Sequence, residues 1–424
     1  MEASQEQFEA AATQKVAAVL ESTATESNHV EDTSSAGQPA PSGLSSLADV
    51  TTELPAAPPV YHVHYDKNGF PRTLLDWRRE PKRDNYTARH LWTPLEDWFR
   101  LHGYELFVTR PPGKLPGLRP KNPYEIRAPD QYHAIIAEDT KAIGWTATHT
   151  SNKCCPATRI RDGVHVMIEL VCKGRHGFNE LEVMRRFSRP DIATHPDNHV
   201  IPLLDEVSCL DMTFAVLPLL ENDIIEPWFY TLEEALDAVE QTFKGLAFMH
   251  SHYVAHMDIG FRDILLNFGG LRGRHEWGTA LRNPTPFRTR LSSPCRYTFI
   301  DFEVANIYPR GSNPATHRST GVHFVQNGRI PDPDSYAKPM PPEWTKQEPF
   351  CVFKSDVYQI GKLWQKYLSP LQTLIPGLHD ILQCMVEDNP SRRPTMAEAL
   401  LRYQVFMQSI TKKDLELRMW QYRP

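Results

Sequence analysis

The strongest constraint on the fold of this chain is a change of hydrophobic period partway along it. From about residue 124 to 218 the apolar residues fall in short, alternating, β-branched runs, the pattern of strands. Ala142–Thr148 and Thr158–Arg161 read as a hairpin, and Val164–Val171 is the clearest strand. His199–Leu204 and Thr213–Pro218 are two more. One helix interrupts them, Phe178–Phe187, with Phe178, Leu181 and Met184 on one stripe. After residue 231 the period becomes helical. Thr231 and Glu234 form a capping box, and Leu236, Val239, Phe243, Leu246 and Ala247 line one face of the helix that follows. Further helices are predicted from Ser355 to about Leu368, around Ile381–Val386, and over Thr395–Met407. Strands first and helices second, joined near Pro218–Asn222, predict an α+β fold with a small β-rich part and a larger helical part.

The first 58 residues are rich in Ala, Ser, Thr, Glu and Pro, and cannot bury enough apolar surface to offset their ordering entropy. A disordered tail is expected there. Aromatic residues then begin abruptly, from Tyr61 through Trp77, Trp92 and Trp98 to Phe107. Within them Leu91–Gly103 reads as one helix, with Thr93 as its cap, Pro94 in its first turn and Gly103 as its stop. Two uses fit this aromatic stretch: a docking surface for a partner, or an extension packed on the next domain. The hydrophobic share of 41% suffices for a substantial core. A formal charge of −6 gives no global reason to expect nucleic acid, and no apolar run approaches the ~20 residues that span a bilayer. Seven cysteines without a C-x-x-C pair argue against a disulfide framework and a zinc site. These features, with no signal peptide at Met1–Gln5, predict a soluble intracellular protein, cytoplasmic or nuclear.

The residues that carry chemistry lie in 256–268, His256-Met257-Asp258-Ile259-Gly260-Phe261-Arg262-Asp263-Ile264-Leu265-Leu266-Asn267-Phe268. This stretch resembles the catalytic loop of the eukaryotic protein kinases, H-R-D-L-K-x-x-N followed by an apolar strand. Four more landmarks follow in the family's order. Asp301-Phe302-Glu303 resembles D-F-G, Pro341-Pro342-Glu343 resembles A-P-E, Asp356–Gly361 resembles the start of the central large-lobe helix, and Asn389–Thr395 resembles D-P-x-x-R-P-T. The resemblance spans roughly 140–408. The Trp92–Gly103 extension and the 269–296 insert also resemble a group of fungal kinase-like proteins.

The resemblance implies a bilobal protein-kinase-like fold. A disordered tail (1–58) and an aromatic-rich extension (59–139) would precede a β-rich N-lobe (140–218). A helical C-lobe (219–408) with an insert loop (269–296) and a C-terminal tail (409–424) would follow. It also implies ATP and Mg²⁺ as cofactors and a protein as substrate or partner, with no nucleic acid and no membrane. Asp258 stands where the base stands, and Asp301 where the main metal ligand stands. Asp263 replaces the family's Asn ligand, and its carboxylate still suits a hard cation. Catalytic roles thus fall on Asp258 and Asp263, and metal binding on Asp263 and Asp301. Glu343 and the matching Arg393 would form a structural ion pair.

The small lobe departs from the pattern. Aligning Val166-Met167-Ile168-Glu169 on V-A-I-K puts Glu169 where the phosphate-binding Lys belongs, facing Glu180. Lys173, four residues on and on the same strand face, is the possible substitute, yet it leaves only a short run before Glu180. The preferred register has no Lys in place, and Glu169→Lys is then expected to increase ATP affinity. The phosphate-cradling loop would lie at Gly144–His149, where only Gly144 remains of the family's glycines. Met257 replaces the Arg that receives an activation-loop phosphate, Gly260 replaces a Lys, and Glu303 replaces the D-F-G glycine. These losses favour a pseudokinase scaffold with weak or no ATP binding. Intact Asp258 and Asp301 favour the alternative, an active divergent kinase acting on Ser/Thr hydroxyls, with Gly144, Glu169, Lys173 and Glu180 around the nucleotide.

Overall fold

A computed structural model describes residues 63–80, 89–106, 152–220, 228–267, 295–313, 316–320, 336, 338–346 and 348–422. The predicted Ala142–Thr148 strand, Gly144, the tail and most of the 269–296 insert lie outside these. The described residues form a mixed α+β structure, an antiparallel sheet followed by helices.

The aromatic extension begins with a turn around Asp66, whose carboxylate accepts from the amides of Asn68 and Phe70. Helix α1 (Leu74–Arg79) follows, opened by a reciprocal capping box between Thr73 and Asp76. The predicted Leu91–Gly103 helix is broken into three pieces: α2 (Arg89–Trp92), a 3₁₀ turn at Thr93–Leu95, and α3 (Glu96–Leu101). Pro94 supplies no amide donor, which interrupts the ladder between α2 and α3. Gly103 ends the unit at φ +88°, the left-handed backbone that a helix stop favours. The chain then enters strand β1 (Tyr104–Leu106).

β1 is the first strand of the sheet, so the extension contributes backbone as well as side chains. With β2 (Cys154–Arg159), β3 (Val164–Lys173), β4 (Asp205–Cys209) and β5 (Met212–Pro218) the spatial order is β1-β2-β3-β5-β4, all antiparallel. Thr158 and Arg159 do form a hairpin, but with β3 across the Ile160–Gly163 turn. Phe70, Trp77, Trp92, Trp98 and Phe99 cover one sheet face, packing with Cys155, Val166, Ile168, Leu170, Phe214 and Val216. Burying several rings of ~150–250 Å² each makes this a hydrophobic core in its own right.

His199–Leu204 is not a sheet strand. It runs beside the Tyr297–Phe299 segment, where Val200 forms a single parallel bridge to Phe299, and the ladder strand falls at β4 instead. Between β3 and β4 lies α4 (Phe178–Phe187), which buries Glu180, Leu181, Val183, Met184 and Phe187 while Phe178 is exposed.

The helical part opens with α5 (Leu232–Ser251), capped by the Thr231 hydroxyl; Glu234 accepts from the Tyr230 amide rather than closing the box on Thr231. Leu236, Val239, Phe243 and Leu246 are buried along it. Short strand pairs then frame the loop of interest: β6 (Val254–Ala255), β7 (Ile264–Leu266), β8 (Tyr297–Phe299) and β9 (Asn306–Ile307), with β6 on β9 and β7 on β8. Helices α6 (Val352–Leu368), α7 (Pro376–Met385) and α8 (Met396–Ser409, with a Thr395–Glu398 capping box) complete the large core. All seven cysteines are free thiols. Among the described residues no helix is long and apolar enough to cross a membrane.

Candidate functional site

The 256–263 loop is held from below by α6. Asp356, fully buried on that helix, accepts from the amides of His256 and Met257, both at 2.7 Å, and contacts His250 Nε2 at 2.9 Å. Gln359, one turn on, accepts from the Ile259 amide at 3.1 Å. This grip holds Met257 at φ +66°, a left-handed conformation that costs a non-glycine residue of order 1 kcal/mol and persists only when its surroundings over-determine it. The Met257 side chain is buried against Ala255, Trp344, Phe350 and Val352. His256 Nε2 lies 2.9 Å from the Ile300 carbonyl, joining the loop to the segment carrying Asp301.

Three aspartates converge above this floor. Asp258 Oδ1 accepts from the Tyr336 hydroxyl at 2.5 Å, and its Oδ2 accepts from Lys338 Nζ at 2.6 Å. Asp263 Oδ2 contacts the same ammonium at 2.8 Å and accepts from the Gly260 amide at 2.8 Å. Asp301 stands at φ +64°. Burial raises the Asp258 carboxyl above its ordinary value, although Lys338 and Tyr336 oppose it. Burial, with Asp301 nearby, pushes Asp263 up to about 6 against the pull of Lys338. At Asp301 burial also acts upward, but Lys153, Lys338 and Arg78 outweigh it and the carboxyl is held below its ordinary range. The site therefore carries one well-ionised carboxylate and two costly ones.

Lys153 is the residue that sequence reasoning missed. It immediately precedes β2, and Cys154 pairs with Glu169 across the β2–β3 ladder. Its buried ammonium lies 3.3 Å from Glu169 Oε1 and 3.6 Å from Glu180 Oε2. The two carboxylates that would face each other as like charges are thus bridged by a cation from the adjacent strand. Burial pushes the Lys153 amine down, but Glu180 and Glu169 more than compensate and keep it charged. Glu180 is raised by burial and by its acidic neighbours. Glu180 Oε1 also accepts from the Phe302 amide at 3.2 Å, and Asn179 donates to the Ala305 carbonyl at 2.6 Å. Helix α4 is therefore tied directly to the segment after Asp301.

Lys173 lies elsewhere. Its ammonium makes two 2.6 Å contacts, to Asp66 in the extension and Asp211 in the β4–β5 turn. The physical reason is a register shift in β3 between Leu170 and Cys172. A bulge inserts one residue and reverses the alternation beyond it, so Lys173 does not share the face of Glu169. Gly144 lies outside the described residues.

Arg78 is a second missed residue. It ion-pairs with Glu303, two residues after Asp301, and so brings a guanidinium from the extension to the edge of the site. Asn152 donates to the carbonyls of Glu80 and Arg78, at 2.8 and 3.2 Å, fixing the end of α1 beside Lys153. Farther off, Glu343 and Arg393 form a buried bidentate pair at 2.7 and 2.8 Å.

Among the described residues, no group of three or more His, Cys, Asp or Glu side chains could hold a metal ion. The donor set suits a different mode. Mg²⁺ is commonly held by one or two carboxylates, substrate phosphates and water. Asp301 and Asp263 offer hard oxygen donors, and the Lys153 ammonium lies beside Glu169 and Glu180. No protein-family model matches the chain, and no curated protein matches it.

Proposed function

We propose that this chain is a divergent protein-kinase-like phosphotransferase, with ATP as donor and a protein hydroxyl as acceptor. The observation that carries the reading is the Lys153–Glu180 pair. It places the ammonium whose absence from position 169 argued for a pseudokinase against the expected helix glutamate. The strand order β1-β2-β3-β5-β4 with α4 after β3, and the Asp356 grip on the 256–263 loop, support a two-lobed kinase-like architecture in the same way.

In this reading Lys153 binds ATP phosphates, and Glu180 orients Lys153. Asp301 and Asp263 would hold Mg²⁺, whose chemistry is to neutralise phosphate charge. Asp258 orients the acceptor hydroxyl and takes its proton as the new oxygen–phosphorus bond forms and the bond to ADP breaks. Its raised pKa makes it a better proton acceptor than a solvated aspartate. One observation favours a scaffold without turnover: Asp258 is engaged by both Tyr336 and Lys338, leaving the acceptor to compete with two internal donors.

The test is calorimetric titration of the full chain with Mg²⁺–ATP. Lys153→Met is expected to lower affinity about tenfold or more, the scale of a charge-assisted hydrogen bond. Glu169→Lys, which would crowd a second ammonium against Lys153, is expected to lower affinity rather than raise it. Wild-type protein that ignores millimolar ATP, or Lys153→Met that is folded and binds normally, would refute the reading.

A further inference from the structure

Position 260 carries no side chain, and Lys338 fills the space beside it. A Cβ built on Gly260 would lie 2.9 Å from Lys338 Cγ and 3.2 Å from its Cδ. The aliphatic stem of Lys338 thus occupies the volume that a residue-260 side chain would enter. Its ammonium then reaches Asp258 Oδ2 at 2.6 Å, the Asp258 carbonyl at 3.2 Å and Asp263 Oδ2 at 2.8 Å. Gly260 itself is extended, at φ −133° and ψ 170°, a conformation open to any residue. The absence of a side chain there therefore answers to space rather than to backbone strain.

We propose that Lys338 acts as the cation of the phosphoryl-transfer step, moving from its two aspartates onto the terminal phosphate of bound ATP. This rests on the reading of the site given above. Gln359 steadies the segment that carries it, donating to the Pro339 carbonyl at 3.0 Å while accepting from the Ile259 amide of the loop. Lys338 and the loop aspartates are thereby referenced to one buried side chain on α6. Asp263 and Asp258 keep the ammonium charged despite its burial, and a flexible four-carbon stem suits a transfer from carboxylate to phosphate. ADP lacks the terminal phosphate, so the contact is specific to ATP.

The experiment compares ATP and ADP affinities, each with Mg²⁺, by calorimetry on the full chain. Lys338→Gln keeps length and a donor but removes the charge. It is expected to lower ATP affinity roughly tenfold and leave ADP affinity unchanged, erasing the preference for ATP. Lys338→Ala should do the same, and adding Gly260→Lys to it should restore the preference, because the vacated volume then admits the new side chain. Gly260→Lys alone should lower the melting temperature, since its stem meets Lys338. An unchanged ATP preference in folded Lys338→Gln, or no restoration by Gly260→Lys, overturns the proposal while Lys153-dependent ADP binding leaves the nucleotide site standing. Absence of binding to both nucleotides in the wild type would remove the functional reading and this proposal together.

Discussion

Asp263 is a carboxylate kept where charge is unfavourable, and that has a measurable consequence. Its folded-state pKa of about 6 lies above the ordinary value of 3.8. The protonated form is the one the fold prefers. Its contribution to stability is therefore fully present below pH 3.8 and is lost as the pH rises through 6. Asp263→Asn removes this dependence while keeping an oxygen for the Gly260 amide and Lys338. Denaturant unfolding without metal should show the variant more stable than wild type above pH 6, by on the order of 3 kcal/mol. The difference should vanish near pH 4. A constant difference across that range would mean that Asp263 is not the group responsible. The same substitution removes one of the two proposed metal donors, so Mg²⁺ should stabilise the variant less than the wild type in the presence of ATP. The two effects have opposite sign, which separates electrostatic relief from loss of a ligand.

At the scale of elements, the site depends on how β3 hands over to α4. Val171 lies inside the β3 register shift, and its carbonyl oxygen would lie 1.8 Å from a Cβ at Gly177. Gly177 also sits at φ +95°, immediately before α4. A methyl group there must displace backbone, and α4 carries Glu180. Gly177→Ala is expected to destabilise the protein by at least about 1–2 kcal/mol and to weaken Mg²⁺–ATP binding by loosening Glu180 from Lys153. Binding at wild-type strength in a folded variant would show that α4 is positioned independently of this turn.

The same element shows what a sequence can and cannot disclose. The period of 164–171 and the 178–187 stripe announce β3 and α4, whereas Asp258 and Asp263 are singled out only by the resemblance of 256–268 to a catalytic loop. Lys153 could have been found by counting equal steps back from the Ile160–Gly163 turn, which sets 154 opposite 169. Pairing 158–161 with 142–148 instead concealed it. The bulge that turns Lys173 away leaves no trace in the alternation of apolar residues. Arg78 and Lys338 reach the site through tertiary packing, across separations no local pattern encodes.

Across the whole molecule, the β1–β2 ladder ties the extension to the sheet through backbone, and two kinds of side-chain interaction that respond differently to mutation add to it. The aromatic residues supply area: Trp77 meets Trp92 edge-on at 6.2 Å, and Phe99 meets Phe214 edge-on at 5.0 Å. Lys173 supplies specificity, since its fully buried ammonium joins Asp66 of the extension to Asp211 of the sheet. Removing one member of a buried ionic group leaves the others uncompensated, which costs more than the group contributes. Asp211 is half-exposed and water relieves part of that cost. Lys173→Met keeps an aliphatic side chain and removes the ammonium, which lies 6.0 Å from the centroid of the Phe70 ring. It should cost about 2 kcal/mol and speed hydrogen exchange at Asn68, Phe70 and Arg72, whose amides close the turn around Asp66. Its affinity for Mg²⁺–ATP should stay close to wild type, because Lys153 and Glu180 do not touch this tie. Loss of nucleotide binding in a folded Lys173→Met protein would return Lys173 to the site and displace Lys153 from the role assigned to it.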